Sequence, residues 1–245
     1  MQMEFSNNKK LTKGQINTML KRQISDGESF NNLIEKPKAE FKQLKKGNTF
    51  YSVQVMKLWV QKFYTQVAAL SQVLKGETLE ETCYNVHGFL VKYIQYEIDQ
   101  ETQRVRSPAN SWQNREKGID CKSFSVFASA VLTNLGIKHY IRQIKQLRIQ
   151  PNRFSHVYIV VPRNQETANL NDGYFPIDGT VTDFDIKPKY TQKEDIIMDE
   201  LEHVGLNGFV VQKRDGSRKK VPNYQKNKKQ SQNKQATSKK IFSFF

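Results

Sequence analysis

Cys121 stands in the run Gly118-Ile119-Asp120-Cys121-Lys122-Ser123-Phe124, where an amphipathic helix is due to begin. His156 follows 35 residues later, in Phe154-Ser155-His156-Val157-Tyr158, and Asp178 another 22 on, in Pro176-Ile177-Asp178-Gly179-Thr180. Each lies at the edge of a regular element. A thiol at a helix N-terminus feels the positive end of the helix dipole and gains thiolate character. An imidazole can take its proton and later protonate a leaving group, and a carboxylate can hold that imidazole in one tautomer. These are the parts of a thiol acyl-transfer site. Cys83 is different. It falls in the stripe Leu79, Cys83, Val86, Leu90, Tyr93, whose spacing marks a helix face turned to a core.

The order and wording of the three motifs resemble the transglutaminase-like superfamily of papain-type thiol enzymes. That family pairs a Gly-Asp-Cys helix start with a His-bearing strand and an Asp-bearing strand. The resemblance covers roughly residues 80 to 182. Ile119 separates Gly118 from Asp120, and Lys122 stands where the family often has an acidic residue, which bears on substrate preference. The resemblance implies an α+β fold, with N-terminal helices packed on an antiparallel sheet. It also implies a Cys121–His156–Asp178 triad acting on peptide or glutamine-type amide bonds.

The surrounding elements are legible from periodicity. Phe124, Phe127, Ala128, Val131, Leu132 and Leu135 give the helix after Cys121 one apolar face, and Gly136 supplies its stop. Residues 138–146 and 154–161 read as strands; in the second, Val157, Ile159 and Val161 alternate with His156, Tyr158 and Val160. His156 and Tyr158 are thus expected to point the same way, toward a cleft. Tyr174–Ile177 reads as a third strand that ends at Asp178. Upstream, Val53, Met56, Trp59, Val60, Phe63, Val67 and Leu70 predict a single amphipathic helix over 52–74. Thr78-Leu79-Glu80-Glu81 has the spacing of a capping box.

An acyl-transfer site also needs donors for the oxyanion. The backbone N–H of Cys121 is the first candidate, being an unpaired helix-start amide. Gln113 is the side-chain candidate, with Trp112 and Tyr158 as further cleft residues; Arg106 and Arg115 could meet acidic substrate groups. His87, His139 and His203 have no metal-site spacing, and no phosphate-binding glycine loop or dinucleotide fingerprint occurs. No metal and no cofactor are expected.

The chain has 245 residues with 39 Lys and Arg against 24 Asp and Glu, a net charge of +15. Mean hydropathy is −0.70, low for a chain packed throughout. Four regions follow: a polar, partly helical extension over 1–48, a thiol-enzyme domain over 49–205, a basic flexible linker over 206–240, and an apolar end over 241–245. From Lys213 to Lys240 there are 11 Lys and Arg and one Asp, so this stretch holds +10 of the +15. A disordered tail of that charge suits weak contact with nucleic acid or another polyanion. Ile241, Phe242, Phe244 and Phe245 read as a peptide that docks on a protein partner or folds back. No run of about 20 apolar residues is present to span a bilayer. The N-terminus lacks the apolar core of a signal peptide, and two cysteines give no disulfide framework, so a reducing cytoplasmic setting is expected.

Two functional readings follow. One is a thiol enzyme with a protein or peptide substrate, hydrolysis being favoured over crosslinking because no calcium-binding loop is apparent. The other is an inactive scaffold or virion-associated assembly protein tethered by its tail. Compact proteins of this sort resemble those carried by bacteriophages and mobile elements.

Overall fold

Four helices open on a residue whose side chain takes back an amide of the first turn. Thr12 accepts from Gln15 N at 3.2 Å, Thr78 from Glu81 N at 3.1 Å, Ser107 from Asn110 N at 3.3 Å, and Asp120 from Ser123 N at 3.2 Å. Such caps contribute about 1 kcal/mol each. They start α1 (Lys13–Leu20), α4 (Leu79–Tyr93), α5 (Pro108–Gln113) and α6 (Cys121–Asn134). A computed structural model describes residues 12–37, 49–99, 103–146 and 152–198, with three short strands beyond. In the capping box expected at Thr78, the Glu81 carboxylate accepts from the N–H of Glu77, one residue further back than the cap.

The helix expected over 52–74 is two helices. These are α2 (Thr49–Phe63) and α3 (Ala68–Leu74), joined by a 3₁₀ turn over Tyr64–Val67. Competing hydrogen bonds explain the break. The Tyr64 carbonyl accepts from Asn134 Nδ2 at 2.6 Å, the Gln66 carbonyl from Glu35 N at 2.9 Å, and the buried Gln66 amide oxygen from Ala109 N at 3.0 Å. Tertiary partners here replace the i→i−4 ladder, which apolar periodicity cannot reveal.

Helix α6 forms the centre. All residues from Lys122 to Leu132 are buried, so it is enclosed on every side rather than on one face. Its polar positions are small and satisfied. Ser123 donates to Asp120 Oδ1 at 3.1 Å, Ser125 to the Cys121 carbonyl at 2.8 Å, and Ser129 pairs with His139 Nε2 at 2.6 Å. Gly136, at φ +67°, closes the helix as expected, and Ile137 N reaches back to the Leu132 carbonyl at 3.0 Å.

Against α6 lies an antiparallel sheet in the order β3-β2-β1-β4. Its strands are β1 (His139–Lys145), β2 (His156–Pro162), β3 (Tyr174–Ile177) and β4 (Gln192–Met198). Val157, Ile159 and Val161 face the main core with α6, while Tyr158 and Val160 join Ile144 in a smaller cluster. The register pairs Ile159 with Ile177. This brings the end of β3, where Asp178 follows, beside the start of β2, where His156 stands.

The boundary expected at residue 49 is not a break in the fold. Ile34 is buried in the main core, and Phe30 packs its ring on Phe89, Tyr93 and Trp112. Within 206–240, strands β6 (Gly208–Gln212) and β7 (Arg218–Lys220) pair with each other, and β6 pairs with β5 (Val204–Gly205). The rest of that basic stretch, residues 241–245 and His203 lie outside the described residues. Among the described residues no helix is long and apolar enough to cross a membrane.

Candidate active site

The three residues singled out by spacing converge. Cys121 is the first residue of α6, and its thiol is half-buried. His156 Nε2 donates to Asp178 Oδ2 at 2.6 Å, and the Cys121 side chain lies near enough to the same ring to act on its charge. With Nε2 engaged by Asp178, Nδ1 is the nitrogen left for the thiol. Burial alone would lower the His156 pKa. The Asp178 charge and hydrogen bond, with help from Cys121, outweigh it and lift the value to about 10. Asp178 is 2% exposed. Burial opposes its charge too, but His156 and two donors from Thr180, the N–H at 3.0 Å and the hydroxyl at 2.7 Å, keep it below the usual carboxylate range.

The turn bearing Asp178 is held from several sides. Val181 N donates to the Asp178 carbonyl at 3.2 Å, and His87 Nε2 contacts the Val181 carbonyl at 3.2 Å. Burial keeps the His87 pKa low, so the ring is a neutral donor there. A Cβ built on Gly179 would come within 2.4 Å of the Phe124 ring, so only glycine lets this turn press on α6. On the other side of the thiol, Ile119 forms an isolated parallel bridge with Tyr96. Ile119 is fully buried, and the glycine before it adopts φ +105° against Glu97. The Ile119 insertion is thus a bridging residue that seats the Asp120–Cys121 corner. Tyr96 lies within electrostatic reach of Cys121 and Asp178; burial first, then those charges, hold its phenol well above its ordinary pKa, so it keeps its proton.

Other expectations are corrected. Trp112 does not wall the site. It stacks on Phe89 at 5.4 Å, lies under the Arg115 guanidinium at 4.7 Å, and donates from Nε1 to Asn31 at 2.8 Å. Gln113 closes the short α5 with an exposed side chain. Tyr158 shares the His156 face, its ring stacked at 5.7 Å, but it is 1% exposed and its hydroxyl is buried beside Arg142. Lys122 is buried among Asp120, Asp99 at 3.4 Å and Gln103 at 2.9 Å, which removes it from substrate selection. Arg106 is likewise buried, its N–H donating to Ser123 Oγ at 3.3 Å. Cys83 is fully buried, and desolvation with Glu80 pushes its thiol up to about 12. Arg22, Tyr96 and His87 were not found from sequence. The nearest signal was His87, four residues after Cys83 on the buried stripe of α4.

Two histidines set opposite pH slopes on stability. Burial lowers His139 from 6.5 to about 4, so its contribution is complete above its unfolded value and is lost as pH falls toward 4. His156 is raised from 6.5 to about 10, so its contribution is complete below its unfolded value and is lost as pH rises toward 10. Urea melts across this range are expected to show a maximum near the ordinary histidine pKa, about 6.5. His156→Ala should flatten the alkaline arm and leave the acid arm. An alkaline arm of equal slope in that variant would show that the His156–Asp178 pair contributes nothing.

A helix start presenting a thiol to an imidazole, itself tied to a buried carboxylate on the next strand, defines an α+β thiol-site domain. The family described as a transglutaminase-like domain matches residues 65–202, more than half of the 245, and the chain belongs to that family. No match was found among curated proteins. Among solved structures, Legionella pneumophila LapG is similar at 15% identity, covering 54% of this chain and 73% of that one, with a TM-score of 0.38. Its calcium-bound form is similar at 16% identity, covering 54% and 75%, with a TM-score of 0.37.

Proposed function

We propose that this protein is a thiol hydrolase of peptide or glutamine-type amide bonds, with Cys121 as nucleophile, His156 as acid and base, and Asp178 as orienter. One observation carries the reading: the His156 ring is bonded to the buried Asp178 through Nε2, with the Cys121 thiol at the helix start near enough to act on the ring's charge. Sγ of Cys121 attacks the carbonyl carbon as the thiolate, its proton already resting on His156. The oxyanion so formed meets the backbone N–H of Cys121, an amide left unpaired at the helix start. The C–N bond breaks as His156 returns the proton to the leaving nitrogen, leaving a thioester on Cys121. Water then attacks, deprotonated by His156, and the thiol is released. An amine in place of that water would give crosslinking. Hydrolysis is favoured because nothing in the sequence points to exclusion of water.

The test is incubation of the full chain with a proteome-derived peptide library and an excess of dansylcadaverine, read by mass spectrometry. Cleaved or deamidated peptides that disappear with Cys121→Ala are the expected result. Dansylated glutamines in their place would turn the assignment to transfer. Products of equal yield from wild type and Cys121→Ala, or no products at all, would refute it and favour the scaffold reading.

A further inference from the structure

Arg22 lies outside the residues matched by the family and inside the segment expected as a polar extension. Its guanidinium nevertheless reaches the site. Nη2 of Arg22 donates to the Gly179 carbonyl at 2.8 Å and to the Ile94 carbonyl at 2.8 Å. Gly179 is the residue after Asp178, and Ile94 caps the C-terminal end of α4. One nitrogen thus ties the carboxylate-bearing turn to a helix terminus whose exposed carbonyls favour a cation. The same guanidinium lies over the Phe124 ring at 5.6 Å, and Phe124 is the ring on which Gly179 presses. Arg22, Gly179 and Phe124 form one stack that joins the Asp178 turn to the helix carrying Cys121.

The backbone around Arg22 is docked with matching care. Arg22 N donates to Gln95 Oε1 at 3.2 Å, and Gln95 Nε2 donates to the Arg22 carbonyl at 2.6 Å. Asn17 accepts from Ile98 N at 2.8 Å, and Ser25 N donates to the Lys92 carbonyl at 2.8 Å. As the N-terminal number rises from 17 to 25, its partner's falls from 98 to 92, so the segment runs antiparallel to the chain after α4. That chain is itself bridged to Ile119, two residues before Cys121.

We propose that Arg22 is a positioning residue of the thiol site, fastening the Asp178–Gly179 turn against α4 and against the cysteine-bearing helix. The proposal rests on the reading of Cys121, His156 and Asp178 as the reacting set. Asp178 is faced by His156 from β2, by His87 from α4, by Tyr96 from the run after α4, and by Thr180 from its own turn. Arg22 adds positive charge to that surround; burial lowers its own pKa to about 10, with Asp178 and Tyr96 opposing the fall, so it is charged across the neutral range. Without it the Asp178–Gly179 turn loses its tether to α4 and to the cysteine-bearing helix, so the carboxylate is held less firmly against His156. His156 is then less well supported as an imidazolium and gives up its proton at lower pH.

The experiment alkylates the full chain with iodoacetamide over a range from about pH 5 to 10, with Cys83 as internal reference and a thermal melt for each variant. Arg22→Met is expected to slow Cys121 labelling about tenfold or more near neutral pH, and to move the alkaline limb of the profile downward. Arg22→Lys keeps the charge but not the planar fork and should fall between the two. A folded Arg22→Met with the wild-type profile overturns the proposal. If Arg22→Met does not fold, Arg22→Lys decides: an intermediate profile supports the role and a wild-type profile overturns it. His156→Ala separates the two levels of inference. Labelling that depends on His156 but not on Arg22 sinks only the Arg22 role, whereas labelling indifferent to His156 sinks the reacting set and the Arg22 role with it.

Discussion

Iodoacetamide near neutral pH should alkylate Cys121 at least about 100 times faster than Cys83 in the folded chain. The expectation starts from Cys83, whose thiol is fully buried and pushed up to about 12. At pH 7 only about one such thiol in 10⁵ is ionised, against a few per cent for a free cysteine. The weaker acid is the better nucleophile once ionised, which returns one to two of those orders of magnitude. Burial then widens the gap again. Cys121 is half-buried at a helix start beside a His156 held protonated near neutral pH, so it has both access and a cation to stabilise its thiolate. Peptide mapping after timed labelling measures the ratio. Equal rates, or a Cys121 rate untouched by His156→Ala, would mean that the thiol and imidazole do not act together.

The second large effect is expected from Asp178→Asn. An amide at this position cannot balance a protonated His156, and its NH₂ group favours the wrong tautomer of the ring. Turnover on a peptide found by the library screen should fall by about 10²–10⁴-fold. Stability should fall as well, by about 1–3 kcal/mol, because Thr180 donates through both its N–H and its hydroxyl to a site that is 2% exposed. Steady-state kinetics and urea melts on the same preparation separate the two losses. Turnover within about twofold of wild type would remove Asp178 from the mechanism.

The three residues of the proposed reacting set were legible in sequence because each sits where a local rule is strong. The onset of apolar helix periodicity at Phe124 placed Cys121 at a helix start. Period-two alternation placed His156, and a short strand ending in Pro-Ile-Asp-Gly placed Asp178. Strand pairing then needed only adjacency. Other features were hidden for a shared reason: they depend on partners far along the chain. The kink over Tyr64–Val67 is made by Asn134, Glu35 and Ala109. Trp112 looked like a cleft wall from its distance to Cys121, yet its ring is claimed by Phe89, Arg115 and Asn31. Lys122 looked free to choose substrates, but Asp99 and Asp120 draw it inward. Arg22 carried no signal at all, since neither carbonyl that it grips can be inferred from residues near it in sequence.

The grip of Arg22 on Gly179 spans 157 positions. Synthesis from the N-terminus therefore makes the clamp first, the thiol next and the carboxylate last. At a synthesis rate of about 5–20 residues per second, Cys121 exists for several seconds before Asp178 is made. Through that interval Cys121 stands at a helix start beside an unfinished sheet. The proposed set of thiol, imidazole and carboxylate can therefore assemble only after residue 178 has been made.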